Sequence, residues 1–139
     1  MHVPDLPLKD YSQGDIPSIN RLLDAFRRGD AFVWSSATYH GTVTGIFKNA
    51  LDMLELLVED DPPYLTGKAV GLIAVADASP LSSMASSVHE LRAWTAPTRL
   101  TLFKTDFTPE LELKEGAPVR RATRLARELI FFAGGRRNG

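Results

Sequence analysis

Two short groups of polar residues hold most of the side chains in this sequence that could take part in chemistry. The first group, SSATYHGTVT at residues 35–44, combines several hydroxyl groups with Tyr39 and His40. The second group, DAS at residues 77–79, follows the apolar run AVGLIAVA. Each group comes where a strand-forming run gives way to a helical pattern, which is the usual place for ligand binding in layered α/β proteins.

Hydrolysis by a serine nucleophile is one chemistry that these residues suggest. Ser35 or Ser36 would be the nucleophile with His40 or His89 as base, but the sequence has no G-x-S-x-G elbow and no acid evidently placed to orient His89. The three histidines have no metal-ligand spacing, and the chain has no cysteine. No G-x-G-x-x-G or Walker loop is present, so the sequence contains no ordinary phosphate cradle. The remaining alternative at residues 35–44 is a well-capped turn that binds no ligand.

The apolar patterning predicts the elements that position these groups. It predicts helices over 15–28, 44–58, 80–91 and 117–133, strands over 31–37, 69–76 and 98–103, and a strand-like arm at 110–114. Alternating helices and strands indicate a layered α/β fold with parallel strands. Because the carboxyl ends of parallel strands meet at one rim of the sheet, we expect the two polar groups to lie side by side.

Capping residues predict where the helices begin and end. The expected N-caps are Asp15, Thr42 or Thr44, and Ser79, and the expected stops are Gly29 and Gly134–Gly135. We expect both tryptophans, Trp34 at the end of a strand and Trp94 at the end of a helix, to pack in the core. The last helix is expected to bury Val119, Ala122, Ala126, Leu129 and Ile130.

The helix predicted over 44–58 has apolar residues around most of its circumference. Its polar residues form a narrow stripe of Lys48, Asp52, Glu55 and Glu59. A helix that packs on one sheet needs only about a third of its surface apolar. The surplus predicts a homodimer or larger homo-oligomer, with Met53 and Leu57 as candidate contact positions.

Composition narrows the class of protein. The chain has 139 residues with 44% hydrophobic and 24% charged side chains, which suits one globular domain. Its net charge of −1 gives no reason to expect nucleic acid or an anionic membrane as partner. No apolar run approaches the ~20 residues of a membrane-spanning helix, and the start of the chain lacks the pattern of a signal peptide. The expected location is the cytoplasm.

The stretch SATYHGTVTGIFKNALDML, residues 36–54, resembles the signature of the NADPH-dependent FMN reductases, a flavodoxin-like family. In that signature a strand ends in a Ser/Thr-Pro-x-Tyr-Asn/His-Gly-Ser turn, and the next helix carries Lys-Asn-Ala-Leu-Asp. The matching positions are Ser36, Tyr39, His40, Gly41, Thr42, Gly45, Lys48, Asn49, Ala50 and Asp52. Further stretches that resemble the family are DLPL at 5–8, YLTGKAVGLIAVA at 64–76 and LRAWTAPTRLTL at 91–102.

The resemblance implies a single flavodoxin-like domain over residues 1–139, a parallel sheet with helices on both faces. It implies that FMN is the cofactor and that NADPH or NADH donates a hydride to the flavin, with no side-chain acid or base required. The residues it places around the flavin ring are Ser36, Ala37, Thr38, Tyr39, His40 and Gly41 in a first loop and Asp77, Ala78 and Ser79 in a second. Family members are usually dimers or tetramers, which agrees with the apolar helix at 44–58.

Members of this family begin with a strand, a phosphate loop, a helix and a second strand, and their sheet order is 2-1-3-4-5. The 139-residue sequence starts after those elements, so we expect an N-terminally truncated sheet with a free edge at 31–36 and weak FMN binding. The leading hypothesis is a flavin reductase. The alternatives are a non-catalytic, dimerising or scaffold remnant of the family, and a hydrolase or binding module that uses the same rim.

Overall fold

The computed structural model describes residues 16–137, in which helices and strands alternate as the patterning predicts. The helices are α1 (Pro17–Arg28), α2 (Gly45–Asp52), α3 (Pro80–Glu90) and α4 (Ala117–Arg137). The strands are β1 (Ala31–Tyr39), β2 (Thr42–Val43), β3 (Ala69–Val75) and β4 (Trp94–Leu102). Two 3₁₀ turns, Met53–Leu57 and Lys104–Asp106, follow α2 and β4. The predicted cap Asp15 and the DLPL stretch lie outside the described residues.

The four strands form one sheet in the order β2-β1-β3-β4. β1 pairs with β3 and β3 with β4, both in parallel, with Trp34 opposite Leu72 and Val75 opposite Leu102. The prediction of parallel strands in a layered α/β fold is therefore confirmed. The carboxyl ends of β1, β3 and β4 lie at the same rim.

Among residues 16–137, the outer edge of β1 is paired only at its carboxyl end. There β2 forms an antiparallel hairpin with it, in which Thr38 lies opposite Val43 and Tyr39 opposite Thr42. This short hairpin is not among the predicted elements. Within residues 16–137, no strand pairs with residues 31–37 on that side, in agreement with the free edge expected at 31–36.

Helices cover both faces of the sheet, as the resemblance implies. On one face the buried residues are Ile19, Leu22 and Leu23 of α1, Met53, Leu54 and Leu57 of the first 3₁₀ turn, and Met84 and Val88 of α3, packed on Trp34, Val70, Leu72 and Ala74. On the other face Leu125 and Leu129 of α4 pack on Leu100 and Leu102. Trp34 is a core residue, as predicted.

A buried lysine fixes the end of α1. The Lys68 ammonium donates to the backbone oxygens of Phe26 (2.5 Å) and Arg27 (2.7 Å), the carbonyls that the helix itself leaves unpaired. Arg27 in turn donates to the Asp60 carboxylate at 2.8 and 3.1 Å. These contacts hold the start of β1 beside the start of β3.

Three predicted elements have different bounds or forms. The helix predicted over 44–58 is α-helical only to Asp52 and continues as the 3₁₀ turn. The strand predicted from 98 begins at Trp94, so Trp94 does not end a helix, and its side chain is 66% exposed rather than in the core. The arm at 110–114 forms no strand because Leu111 has a φ of +66°, and only an isolated bridge joins Phe107 to Leu113.

The last helix differs from its prediction at its end and on its buried face. It does not stop at Gly134–Gly135 but runs to Arg137. Glycine in a helix costs only about 1 kcal/mol relative to alanine, so two glycines do not end it. Its fully buried residues are Leu125 and Leu129, whereas Ala126 and Ile130 are exposed. Across residues 16–137, no helix combines the length and apolar character needed to cross a membrane.

Glu128 joins α4 to β4. Its carboxylate accepts hydrogen bonds from the backbone N–H (2.8 Å) and the hydroxyl (2.6 Å) of Thr98. The hydrogen bond from the Thr98 hydroxyl is the main cause that holds the pKa of Glu128 below its ordinary value of 4.5. Because the folded-state pKa is lower than the unfolded one, this stabilisation is present above the unfolded pKa. It is lost as the pH falls through the folded-state value.

We therefore expect Glu128→Gln to lower the melting temperature clearly near neutral pH, and the difference from the wild type to shrink as the pH falls and the wild-type carboxyl takes up its proton. Thermal melts of both proteins at a series of pH values measure the difference. Asp60 and Asp77 also have lowered pKa values, so both proteins lose stability in acid, and only their difference reports on Glu128. A difference that stays constant with pH contradicts the prediction.

Candidate functional site

The two polar groups are joined by one hydroxyl. Thr38 near the end of β1 donates to the backbone oxygens of Val75 and Asp77, each at 3.1 Å. This shared hydrogen bond ties the end of β1 to the loop that follows β3. The prediction that residues 35–44 and 77–79 lie side by side at one rim is confirmed.

The first group forms a tight hairpin turn. His40 and Gly41 lie between Tyr39 and Thr42 and have φ angles of +52° and +79°. Two successive positive φ angles are typical of the two-residue turn that joins antiparallel strands. Tyr39, His40 and Gly41 are all exposed at this turn, so their backbone and side chains are accessible to a ligand.

Ser36 has a structural function in the same group. It is buried, and its hydroxyl donates to the Ala37 oxygen (2.8 Å) and accepts from the Thr44 N–H (3.1 Å). The Thr44 hydroxyl in turn accepts from the Phe47 N–H, which makes Thr44 the N-cap of α2. Of the two predicted alternatives, Thr42 and Thr44, the second is confirmed. Ser36 therefore positions the hairpin on α2, and its hydroxyl is not a free nucleophile.

The second loop begins with a strained residue. Ala76 has a φ of +80°, a conformation that a non-glycine residue rarely adopts, and its N–H donates to the Leu102 oxygen at 2.8 Å. The chain then turns so that the Asp77 carboxylate accepts from the backbone N–H of Ser79 (2.6 Å) and from its hydroxyl. The hydrogen bond from the Ser79 hydroxyl is the main cause that lowers the pKa of Asp77.

The prediction of Ser79 as the N-cap of α3 is confirmed for its position but not for its side chain. Ser79 occupies the N-cap position, but its hydroxyl is engaged by Asp77 and makes no capping bond to the helix. Asp77, Ala78 and Ser79 are all exposed at the rim, beside the partly buried Ala37 and Thr38. The structure thus brings all nine predicted site residues to one rim, with Ser36 beneath it.

The groups exposed at this rim are mainly backbone groups and small side chains, which suit ligand binding better than acid–base catalysis. His40 and Asp77 are not hydrogen-bonded to each other. The Asp77 carboxylate instead accepts hydrogen bonds from the N–H and the hydroxyl of Ser79. Among the residues described, no group of three or more His, Cys, Asp or Glu side chains could hold a metal ion. Such a rim is suited to orienting a bound cofactor that carries the chemistry itself.

The sheet, in which β1, β3 and β4 are parallel and helices cover both faces, is that of a flavodoxin-like α/β protein. FerB, a flavoenzyme NAD(P)H:(acceptor) oxidoreductase from Paracoccus denitrificans, matches 96% of this chain and 76% of its own, with a TM-score of 0.69 and 17% identity. The apo form of the NADH:FMN oxidoreductase EMOB matches 97% of this chain and 70% of its own, with a TM-score of 0.65 and 20% identity. At these identities the likeness concerns the fold, and it confirms the expected fold class.

The chain belongs to the NADPH-dependent FMN reductase family, whose model matches residues 1–105. The FMN-dependent NADPH-azoreductase of Staphylococcus saprophyticus is 38% identical over 118 residues, covering 74% of this chain and 60% of the relative. The enzyme of the same name from Staphylococcus aureus strain USA300 is 30% identical over 109 residues, covering 70% of this chain and 54% of the relative. The chain therefore spans somewhat more than half the length of these curated relatives.

Proposed function

We propose that this chain is the part of an NAD(P)H-dependent flavin oxidoreductase that holds the isoalloxazine ring of FMN. The observation that carries the proposal is the Thr38 hydrogen bond, which locks the first loop (Ser36–Gly41) and the second loop (Asp77–Ser79) side by side. Membership of the NADPH-dependent FMN reductase family supports FMN as cofactor and NADPH or NADH as hydride donor.

The residues of the rim fit a planar cofactor that is held mainly by backbone groups. The flavin, when bound, supplies the electron-accepting chemistry. The chain's own residues orient it: the hairpin turn at His40 and Gly41 exposes main-chain groups, and Thr38 fixes the spacing to the second loop. The Asp77 carboxylate, held by Ser79, keeps the second loop in one conformation.

The proposal is tested at Gly41, whose φ of +79° suits glycine and disfavours a β-branched residue. No atom lies within 4 Å of a Cβ placed there, so Gly41→Val acts through backbone strain alone. We expect it to weaken FMN binding by roughly tenfold or more, because a left-handed L-residue costs about 1–2 kcal/mol and valine more.

Gly45→Val is the matched control, because Gly45 has equally open space and no positive φ. Fluorescence titration of FMN into the wild-type chain and the two variants gives the comparison. If Gly41→Val and Gly45→Val bind FMN with equal affinity, the hairpin turn is not part of the flavin site.

A non-catalytic remnant of the family, which pairs with another polypeptide as a scaffold, is the second candidate. The observation that favours it is the sequence itself, which has no glycine-rich phosphate loop. The visible spectrum of the purified protein separates the two, because bound flavin is yellow. A colourless protein that takes up no flavin even at millimolar FMN supports the remnant.

We further propose that the chain is a single cytoplasmic domain and assembles as a homodimer or larger oligomer. Met53 and Leu57 do not face a partner, because they are 1% and 0% exposed in the core of the chain itself. The apolar side chains left exposed on this part of the chain are Ile46, Leu56 and Val58, each about 42–43% exposed. They are the better candidates for the subunit contact.

We expect light scattering to give at least twice the chain mass of 15.3 kDa. Leu56→Glu should shift the mass to that of a monomer and keep the fold, since burying an unpaired carboxylate at an interface costs several kcal/mol. Leu57→Glu is the contrasting variant and should unfold the chain. A wild-type monomer at micromolar concentration would count against the oligomer.

A further inference from the structure

The outward side of α4 is strongly basic. Residues 117–135 of this helix contain four arginines and a single acidic residue, Glu128. Positions 120, 124, 127 and 131 follow the spacing of one helix face, and the side chains there are exposed. We define the basic surface as the three arginines and two large apolar residues on this side, Arg120, Arg124, Arg127, Ile130 and Phe131. The last two are 71% and 84% exposed.

The segment that follows α2 is strongly acidic. Residues 45–61 contain one lysine and five acidic residues. In a 3₁₀ turn residues three apart lie in the same row, so the buried Leu54 and Leu57 share the inward row. The other two rows point outward, and we define the acidic surface as their two carboxylates and two apolar side chains, Glu55, Leu56, Val58 and Glu59.

The chain itself does not neutralise either surface. Among residues 16–135, four of these charged side chains form no ion pair: Arg120, Arg127, Glu55 and Glu59. Glu55 accepts a hydrogen bond from the Tyr64 hydroxyl at 3.2 Å, which leaves its charge in place. Because α4 and the first 3₁₀ turn cover opposite faces of the sheet, the two surfaces do not face each other within one chain.

Opposite charges on two separate surfaces, each with exposed apolar side chains, fit a contact between copies of this chain. We propose that the basic surface of one copy packs on the acidic surface of a second copy. The arginines then lie opposite the carboxylates, and Ile130 and Phe131 lie opposite Leu56 and Val58. The inference rests on the proposed oligomer and names the surface that its exposed apolar residues contact.

A second copy accounts for both surfaces, whereas another anionic partner accounts for one. An anionic membrane would attract the arginines of α4 but would repel the acidic surface. Because the two surfaces differ, the contact between copies is heterologous, so it repeats from copy to copy until a ring closes. Complementary charge sets the orientation of the two copies, and the apolar side chains exclude water between them.

Exchange of the charges between the two surfaces tests this contact. One variant reverses the basic surface with Arg120→Glu and Arg127→Glu, and a second reverses the acidic surface with Glu55→Arg and Glu59→Arg. A third variant carries all four substitutions. Arg124 is left unchanged, because it forms an ion pair at 3.3 Å within α4.

The control variant reverses two exposed cations that lie outside both surfaces, Arg21→Glu with Lys104→Glu. Light scattering over a series of protein concentrations gives the mass and the dissociation constant of each assembly. Thermal melts show that each variant is folded.

We expect each two-residue reversal to raise the dissociation constant by about tenfold or more, because attraction at two positions becomes repulsion. The variant with all four substitutions should assemble within about threefold of the wild type, since its charges are complementary again. The control should assemble as the wild type does. Raising NaCl from about 0.05 M to about 0.5 M should also weaken the wild-type assembly, because exposed charges are screened.

A wild-type chain that stays monomeric overturns both the oligomer and this contact. An oligomer that neither reversal weakens, or a four-residue variant that stays as dissociated as the two-residue variants, overturns this contact alone. If a two-residue variant does not fold, the salt series decides, and a wild-type mass that is independent of salt overturns the contact.

Sedimentation of the wild-type chain with phosphatidylserine vesicles is measured beside these assemblies. Vesicle binding by a monomeric chain that Arg120→Glu with Arg127→Glu abolishes would assign the basic surface to a membrane and overturn the proposal. None of these measurements involves FMN, so their outcome is independent of the proposed reductase.

Discussion

The 139-residue chain by itself should bind FMN only weakly, with a dissociation constant on the order of tens of micromolar or higher, and should hardly distinguish FMN from riboflavin. These two flavins differ only in the phosphate, and the sequence contains no ordinary phosphate-binding motif, neither G-x-G-x-x-G nor a Walker loop. If three charge-assisted hydrogen bonds of ~1.5–3 kcal/mol each are missing, the affinity falls by roughly three to six powers of ten. The ring-binding rim alone would then account for the remaining affinity.

The experiment compares two proteins with two flavins. The first protein is the 139-residue chain, and the second is the same chain fused to the N-terminal strand–loop–helix–strand segment of a family member. Fluorescence titration should show that the fusion gains at least about a thousandfold for FMN and far less for riboflavin. Submicromolar, FMN-selective binding by the unfused chain would prove the prediction wrong, since the phosphate site would then lie within these residues or in a neighbouring subunit.

The sheet and its rim could be predicted because their signals are local. Continuous apolar runs such as residues 69–75 are typical of strands covered on both faces, and the polar groups after them mark the carboxyl ends. The Thr44 hydroxyl caps α2 by accepting from the N–H of Phe47, three residues later. This spacing can be read directly from the sequence. Parallel topology then brings the two loops together without any further information.

The features that the sequence did not predict depend on contacts between distant residues or on weak local preferences. The Ser79 hydroxyl has two possible partners, the helix and Asp77, and in the structure it bonds to Asp77 in the turn that follows the left-handed Ala76. Trp94 begins a strand because Arg92, with a φ of +61°, ends α3. A left-handed arginine has no sequence signal, whereas a glycine there would have marked the boundary.

The segment after α2 also shows that the sequence pattern does not determine which side chains the fold buries. Periodicity correctly indicates that residues 44–58 are apolar on more than one face, but it does not say which face meets the sheet. The 3₁₀ turn at Met53–Leu57 rotates Met53 and Leu57 into the core and leaves Leu56 outside. The prediction of extra apolar surface on this segment is confirmed. The prediction that Met53 and Leu57 contact another subunit is wrong, because both lie in the core of the chain.

The free edge of β1 carries the second large prediction. Tyr39 and Thr42 flank a two-residue turn, so they are a hydrogen-bonded pair and the Tyr39 backbone groups point to the outer edge. Backbone groups alternate along a strand, so those of Val33 and Ser35 point the same way, where no described strand accepts them. Val33 is also 51% exposed.

An apolar groove of about 190 Å³ adjoins this edge. Its walls come from α1 and α2 and its floor from β1, and its lining includes Leu22, Phe26, Phe32, Trp34, Phe47 and Leu51. The indole N–H of Trp34 is buried without a hydrogen-bond partner in the described part of the chain. An incoming strand would supply both an apolar side chain for the groove and backbone oxygens for the free N–H groups.

We therefore expect the N-terminal segment of a family member, supplied as a separate polypeptide, to bind at residues 31–37 and to raise FMN affinity as the fusion does. Ser35→Pro removes an outward N–H and places a ring at the edge, while the bonds of β1 to β3 use the other residues. It should abolish that gain, which is about a thousandfold or more in FMN affinity, with only a small change in melting temperature.

Ser35→Ala is the control, because it removes the hydroxyl and keeps the N–H, and it should respond to the segment as the wild type does. In a Trp94→Phe background, Trp34 emission should also shift on binding, because the segment covers the apolar groove that Trp34 lines. A Ser35→Pro variant that is still folded and still gains full FMN affinity from the segment would show that the segment does not pair with β1.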